Sequence, residues 1–515
     1  MRRFSYLTLV LSQPLVRLTR GSTLLTRPTP APAVSASVAE KPLYFAVSKN
    51  HAREAASSSQ KQTPAEKGSE MLDKLEAKLH KGSTPTIITA QGVSDLGGAI
   101  TASSGNKIFN VKPATLWIDK LAQEHGSPTS TVISANESNK SYKKRELVLR
   151  SMQDSYIEII LPFSKDKGLQ EEYVNFSGSI RLGKVLEDLD AMAGAISYKH
   201  CDDGKPDSTP LTIVTASVDR IDFLKPWGIR DLRLSGHVTY VGFSSMEVFM
   251  KVEEISADKP DEPGDIMLVA RFTMVARDAC TGKAAQVNPM DLQNDAEKKL
   301  FQMGEDHKAK KRLAAEQALT KRPPTEDERF LIHELYLEYS KYDDPHRMEK
   351  KPVGVEWMSN TKMSAIQIMQ PQDRNIHDKI FGGYLMRLAY ELAFCNASVF
   401  LKGRPTFLAL DDISFRMPVP VGTLLALDSQ VANSEGGDHR SFQVMVTADI
   451  LDVSKGSRET TNTFWFTFSS PREGPKTLKV LPRTYAESML YLEGKRRRIE
   501  GARMSQISRK NLGMK

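Results

Sequence analysis

The chain has 515 residues, 40% hydrophobic and 26% charged, a composition ordinary for a globular protein and a length that calls for more than one domain. Its net charge of +8 would point to a polyanionic partner, but Arg2, Arg3, Arg17, Arg20 and Arg27 all fall in the acid-free residues 1–39; without them 66 basic residues face 63 acidic ones, which argues against nucleic acid. Three cysteines with no CxxC pair argue against a disulfide framework and a zinc site, and no apolar run approaches the ~20 residues of a membrane span.

Residues 1–39 are rich in Arg, Ser, Thr and Leu, with the first acid at Glu40. They have the character of a mitochondrial transit segment, and the unpaired cysteines fit a reducing matrix. Residues 40–145 carry Ser, Lys, Gly and Thr clusters and form a poorly ordered arm with one short charged helix at 70–80.

The run IEIILPF opens a domain as a strand. In the stretch 180–200, Leu182, Val185, Leu186, Leu189, Ala193 and Ile196 recur at helical spacing, marking a long core helix. It carries Glu187, Asp188 and Asp190 close together, and at least two of these acids are expected on an exposed edge. Four strand-like runs follow: LTIVTASVDRIDF, LRLSGHVTYVG, SMEVFMKVEEI and IMLVARFTMVARD. One helix followed by an antiparallel meander is α+β architecture. Residues 283–345 are charged and helix-prone around Pro323 and Pro324, a helical linker whose charges are expected to hydrate it.

The plan then repeats. A helix beginning near Gly382 precedes RPTFLALDDISF, TLLALDSQVANS, RSFQVMVTADIL and TNTFWFTFS, and IDFLKP in the first half matches ISFRMP 192 residues later. Residues 146–282 and 346–472 are two copies of one unit, able to pair their sheets edge to edge. The extension 473–515 is expected to begin as a short helix and end in a basic cluster at Lys495, Arg496, Arg497 and Arg498, open to solvent or to an anionic surface.

The stretch 375–399 joins a polar loop, the pair Gly382–Gly383 and an apolar helix. Leu385, Leu388, Leu392, Cys395 and Val399 predict its buried face. Two glycines at a helix start permit close backbone approach, and the unpaired N–H groups there favour a carbonyl oxygen gaining charge. Asn375 precedes Gly382 by seven residues and Glu391 follows Gly383 by eight; the same stretch also fits a plain loop and core helix.

The doubled helix-and-sheet unit with N-x6-GG, together with LGKVLEDLDAMAG, IVTASVDRIDF, VGFSSMEVFM, FTMVARD and TYAESMLYLEG, resembles the tandem hotdog acyl-coenzyme A thioesterases over roughly residues 146–495. The resemblance implies two hotdog units, each a central helix wrapped by an antiparallel sheet, paired within one chain. It implies thioester hydrolysis of fatty acyl-coenzyme A, with coenzyme A part of substrate and product and no other cofactor or metal. The family sets a catalytic Asn of one unit's loop against an acid on the other unit's helix, seven residues after the second glycine. Carried over, this pairs Asn375 with Asp190 as general base or, in a second reading, as a nucleophile forming a mixed anhydride, Glu187 being its rival, with Gly382, Gly383 and Tyr384 as oxyanion or substrate donors. The reciprocal set, Asn175 with Glu391, is less regular: Leu182 replaces a glycine, and Tyr390 takes the acid position. One active site and one degenerate or cofactor-binding site are therefore expected. Ser244 and Ser245 match the family's turn near the coenzyme, or form a plain hairpin turn. The resemblance also implies a homo-oligomer of double-hotdog chains. The alternative function is a catalytically silent acyl-coenzyme A binding or scaffold protein.

Overall fold

The computed structural model describes residues 142–511 apart from 206, 226, 257, 259–261, 344–345, 347–348, 376–378 and 412, together with strand fragments Ala99–Ala102 and Ile108–Asn110. The transit segment, most of the arm with its helix at 70–80, and His377 lie outside the described residues.

The first copy comprises β1 (Ile157–Leu161), α1 (Lys167–Tyr173), α2 (Leu182–Cys201), β2 (Leu211–Val218), β3 (Ile221–Phe223), β4 (Leu232–Val241), β5 (Ser245–Glu254) and β6 (Asp265–Asp278). Linker helices α3 (Asp295–Glu316) and α4 (Glu326–Asp343) follow, on either side of the two prolines. The second copy comprises β7 (Met363–Ile368), α5 (Gly382–Leu401), β8 (Thr406–Leu410), β9 (Ile413–Ser414), β10 (Leu424–Gly437), β11 (Ser441–Asp452) and β12 (Ser457–Ser469); β13 (Thr477–Leu481) and α6 (Tyr485–Asn511) close the chain.

The two meanders join into one sheet, sixteen-stranded among the described residues. The seam is short: Ala409 and Leu410 of β8 pair with Asp222 and Ile221 of β3, and Ile413 and Ser414 of β9 pair with Val218 and Ser217 of β2. Each copy's edge strand is thereby covered by the other. The central helices α2 and α5 lie together inside, so the architecture is the α+β double hotdog expected.

All six apolar positions expected on α2 are buried. The acids beside them are not on an exposed edge: Asp188 and Asp190 are each only 2% exposed, and Glu187 is half-buried. Each buried carboxylate has partners, as burial of charge requires; the hydroxyl of buried Tyr173 donates to Asp188.

The buried face of α5 also differs from the expected stripe. Met386, Ala389, Ala393, Ala397 and Phe400 face the core, whereas Leu388 and Leu392 are half-buried and Cys395 and Val399 exposed. Spacings of three and four fit either of two adjacent stripes. The alanine stripe prevails because a helix laid against both a sheet and a second helix needs small side chains at its contacts.

The linker does more than hydrate itself. On α3, Phe301 packs against Tyr240 of β4 with the rings tilted (centroids 4.9 Å apart), His307 Nδ1 lies 3.2 Å from Glu247 Oε2, and Lys311 Nζ donates to Ser217 Oγ at 2.9 Å. This explains why Glu247, on the polar side of β5, is buried. The basic cluster of the extension is likewise not open. It lies within the 27-residue α6, with Lys495 and Arg498 on Glu435 (3.2 and 2.7 Å), Arg496 clamping Glu328 with two nitrogens (2.6 and 2.7 Å), and Arg497 on Glu493 (2.9 Å).

Candidate active site

The paired glycines set the geometry. A Cβ on Gly383 would lie 2.8 Å from Glu187 Cα and 3.1 Å from Asp190 Cβ; one on Gly382 would lie 2.9 Å from Asp190 Oδ2. What approaches this backbone closely is the other copy's helix, which brings the start of α5 against the Asp190 carboxylate. Gly383 N–H donates to Asp190 Oδ2 at 2.6 Å, and Thr215 Oγ1 of β2 donates to Oδ1 at 2.7 Å. Burial raises the Asp190 pKa to about 6, against the lowering effect of these two donors. A carboxylate so tuned is ionised at neutral pH yet a stronger base than a solvated one.

This corrects one expectation. The Gly383 N–H is committed to Asp190 and does not stand free for a thioester carbonyl. The adjoining first-turn N–H groups, on Gly382 and Tyr384, are those a helix start leaves without an intrahelical acceptor.

Asn375 sits in a loop closed on itself, its N–H donating to Lys379 O at 2.6 Å and its Oδ1 accepting from Lys379 N at 3.2 Å. Asp190 and Asn375 line one cavity of about 320 Å³. Its origin lies in the seam. After the hydrogen bond from Phe415 N–H to Ala216 O, the chain leaves β2: Arg416 N–H turns to Thr461 O, and Val419 O accepts from Ile380 N–H. The fork opens between β2 and residues 415–419, over Asp190. Apolar residues such as Ala191, Leu385 and Met274 line part of the cavity; Arg277, Lys379 and Arg416 supply cations to its wall.

The reciprocal set is arranged differently. Asn175 forms the same loop, its N–H on Ser179 O at 2.8 Å and its Oδ1 accepting from Ser177 N, Ser177 Oγ and Ser179 N. At the acid position, Tyr390 lies among Phe407, Phe394 and Phe466 at ring separations of 5.2 to 6.2 Å. Glu391 is held by Arg181 Nε and Nη2 at 3.0 and 2.5 Å. Glu187 is taken by Arg387 Nη1 at 3.2 Å and Lys184 Nζ at 3.3 Å, and does not line the cavity.

Ser244 and Ser245 form the β4–β5 turn, closed by Gly242 N–H to Ser245 O at 2.7 Å, and neither lines the cavity. One metal-like cluster occurs among the described residues: ligand atoms of Asp219, Glu247 and His307 lie within 4.8 Å of one another. The Lys311 ammonium is already paired with Asp219, so the cluster fastens α3 to the sheet.

Sequence reasoning passed over Thr215 and the three cations. Thr215 was findable: the IDFLKP–ISFRMP match aligns it with Phe407, so the two copies differ there just as they do at Asp190 and Tyr390. The cations stand on three separate segments, and no sequence pattern joins them.

No protein-family model matches the chain. It is 39% identical over 413 residues to bovine acyl-coenzyme A thioesterase 9, mitochondrial, covering 77% of this chain and 91% of that one. It is 40% identical over 353 residues to the human protein of that name, covering 67% and 77%. Among solved structures, an acyl-CoA hydrolase from Staphylococcus aureus in complex with butyryl coenzyme A matches 31% of this chain and 96% of its own at 26% identity, with a TM-score of 0.28.

Proposed function

We infer that this chain, which belongs to the acyl-coenzyme A thioesterase family, hydrolyses fatty acyl-coenzyme A at the composite site of Asp190 and Asn375. The observation that carries the assignment is the buried Asp190 carboxylate, held by Gly383 N–H and Thr215 Oγ1 in the wall of the cavity that Asn375 also lines. Asp190 takes a proton from water, the hydroxyl attacks the thioester carbonyl carbon, and the C–S bond breaks as the proton passes to the departing sulfur, leaving fatty acid and coenzyme A. The Gly382 N–H, on the one glycine of the pair that lines the cavity, receives the carbonyl oxygen; Asn375 positions the water or supplies a further donor. The Gly383 N–H serves instead to hold the base. Lys379 and Arg416 offer charge for the phosphates of the coenzyme. Coenzyme A enters as part of the substrate, and no separate cofactor takes part. The second set, with Tyr390 where an acid would stand, does not turn over.

Release of free thiol across an acyl-coenzyme A series tests this. Wild type should release thiol, and Asp190→Asn should lose about 10²–10⁴ of the rate while still binding substrate. Stabilisation by acyl-coenzyme A without thiol release from wild type would favour the silent binding protein.

The relatives' names and the acid-free, arginine-bearing residues 1–39 support a mitochondrial location, and the unpaired cysteines fit the matrix within it. Deleting residues 1–39 should leave the protein in the cytosol; continued import would refute the reading. Assembly of double-hotdog chains into a homo-oligomer belongs to the same proposal and is read by sedimentation.

A further inference from the structure

We propose that Gly194 sets the length of acyl chain this site accepts, with Tyr198 closing the far end of the groove; the proposal rests on the thioesterase reading. Asp190, Gly194 and Tyr198 fall four residues apart on one face of α2, and all three line the cavity. Each step advances about 6 Å along the helix. Starting from the base, the first turn onward presents no side chain and the second presents a phenol ring.

Gly194 is half-buried although its neighbours Ala193 and Ala195 are fully buried, because the cavity lies over it. Glycine inside a helix is unfavourable, and tight packing does not require it here: a Cβ would meet no atom within 4 Å. What the missing side chain preserves is open volume. Tyr198 ends that volume as a fixed wall, its hydroxyl accepting from Ile213 N–H at 3.0 Å.

The second copy is an internal control. The offset of 200 residues that carries Gly183 to Gly383 carries Gly194 to Phe394. There the ring lies 6.2 Å from Tyr390 and 6.3 Å from Phe468, so the equivalent groove is filled with aromatic side chains. The occupant over Gly194 is the acyl end of the thioester because charge sorts the ligand: phosphates go to Lys379 and Arg416, which flank the start of α5, and the chain to the surface of Ala191, Gly194 and Leu385.

The test uses full-length wild type, Gly194→Ala and Gly194→Leu, with thiol release measured from acetyl- to palmitoyl-coenzyme A. Gly194→Leu should keep short-chain rates within about threefold and lose at least about tenfold on the longer esters wild type accepts. Gly194→Ala, which is the safer variant for folding, should fall between. An equal loss at every chain length would place the coenzyme arm over Gly194 and overturn the proposal, as would an unchanged profile. If wild type releases no thiol, the thioesterase reading fails instead. Thermal stabilisation by the same esters then decides the chain-length claim, which requires Gly194→Leu to lose the shift from long chains and keep it from short ones.

Discussion

At the scale of the residue, the proposed role of Asp190 as base and the cost of burying it rest on the same carboxylate. With Asp190 as the proposed base, its pKa near 6 should make activity rise with pH and level off above that value. Thr215 holds the pKa down, so Thr215→Val should move the rising limb of the pH–rate profile to higher pH and lower the rate at neutrality severalfold; an unmoved limb would mean that Asp190 is not the group titrating. The same burial weakens the fold. A folded-state pKa raised from 3.8 to about 6 means that the folded protein prefers the protonated acid. The penalty is absent below about pH 4 and complete above about pH 6, on the order of 3 kcal/mol. Asp190→Asn should therefore raise the melting temperature at pH 8, with a smaller gain at pH 5, while losing the roughly 10²–10⁴ of rate expected above. Equal gains at both pH values would count against a buried charge as the cause.

At the scale of the element, the two helix starts look alike in sequence and differ in what they touch. A methyl on Gly383 meets the Cα of Glu187, which is backbone and cannot yield without parting the helices; one on Gly183 meets Arg387 Cγ, a flexible side chain. Gly383→Ala should cost about 1–3 kcal/mol in denaturant titration and most of the activity, since it displaces the N–H that holds the base. Gly183→Ala should change stability by less than about 1 kcal/mol, the clash being offset by better helix propensity. The strands and helices themselves were legible: the meanders and the spacing on α2 reappear as expected. The face of α5 was not, because the stripe of leucines and the stripe of alanines are both periodic, and only the neighbouring helix and sheet select between them.

At the scale of the whole molecule, the copies are joined by more than the seam. Arg220, in the first copy, donates to Asp411 of the second and through Nε to Asp222 Oδ1 at 2.7 Å; Gln443 Nε2 holds the other oxygen of Asp411 at 2.7 Å. Both acids are buried. Removing the arginine leaves them uncompensated, so Arg220→Ala should destabilise by about 3–5 kcal/mol. Because the copies share a sheet and a helix pair, urea unfolding of wild type should show one transition; separate transitions for the two halves would contradict that coupling.

The sequence by itself determined the repeat, the α+β class, the long helices and the residue types at the site, because periodicity, glycine pairs and a matched IDFLKP–ISFRMP motif are local properties of a chain. It also placed Asp190 and Asn375 on opposite copies, through the family resemblance. Only the tertiary structure decided which groups those residues meet. Asp188 and Asp190 could be buried because Tyr173, Thr215 and Gly383 supply donors from elsewhere in the chain. The Gly383 N–H, unpaired as any helix start is, was claimed by a carboxylate 193 residues away in sequence. The basic cluster of α6 was neutralised by Glu328, Glu435 and Glu493. In each case a polar group needs a partner when buried or docked, and which partner reaches it is fixed by how the two copies pack rather than by any neighbour along the chain.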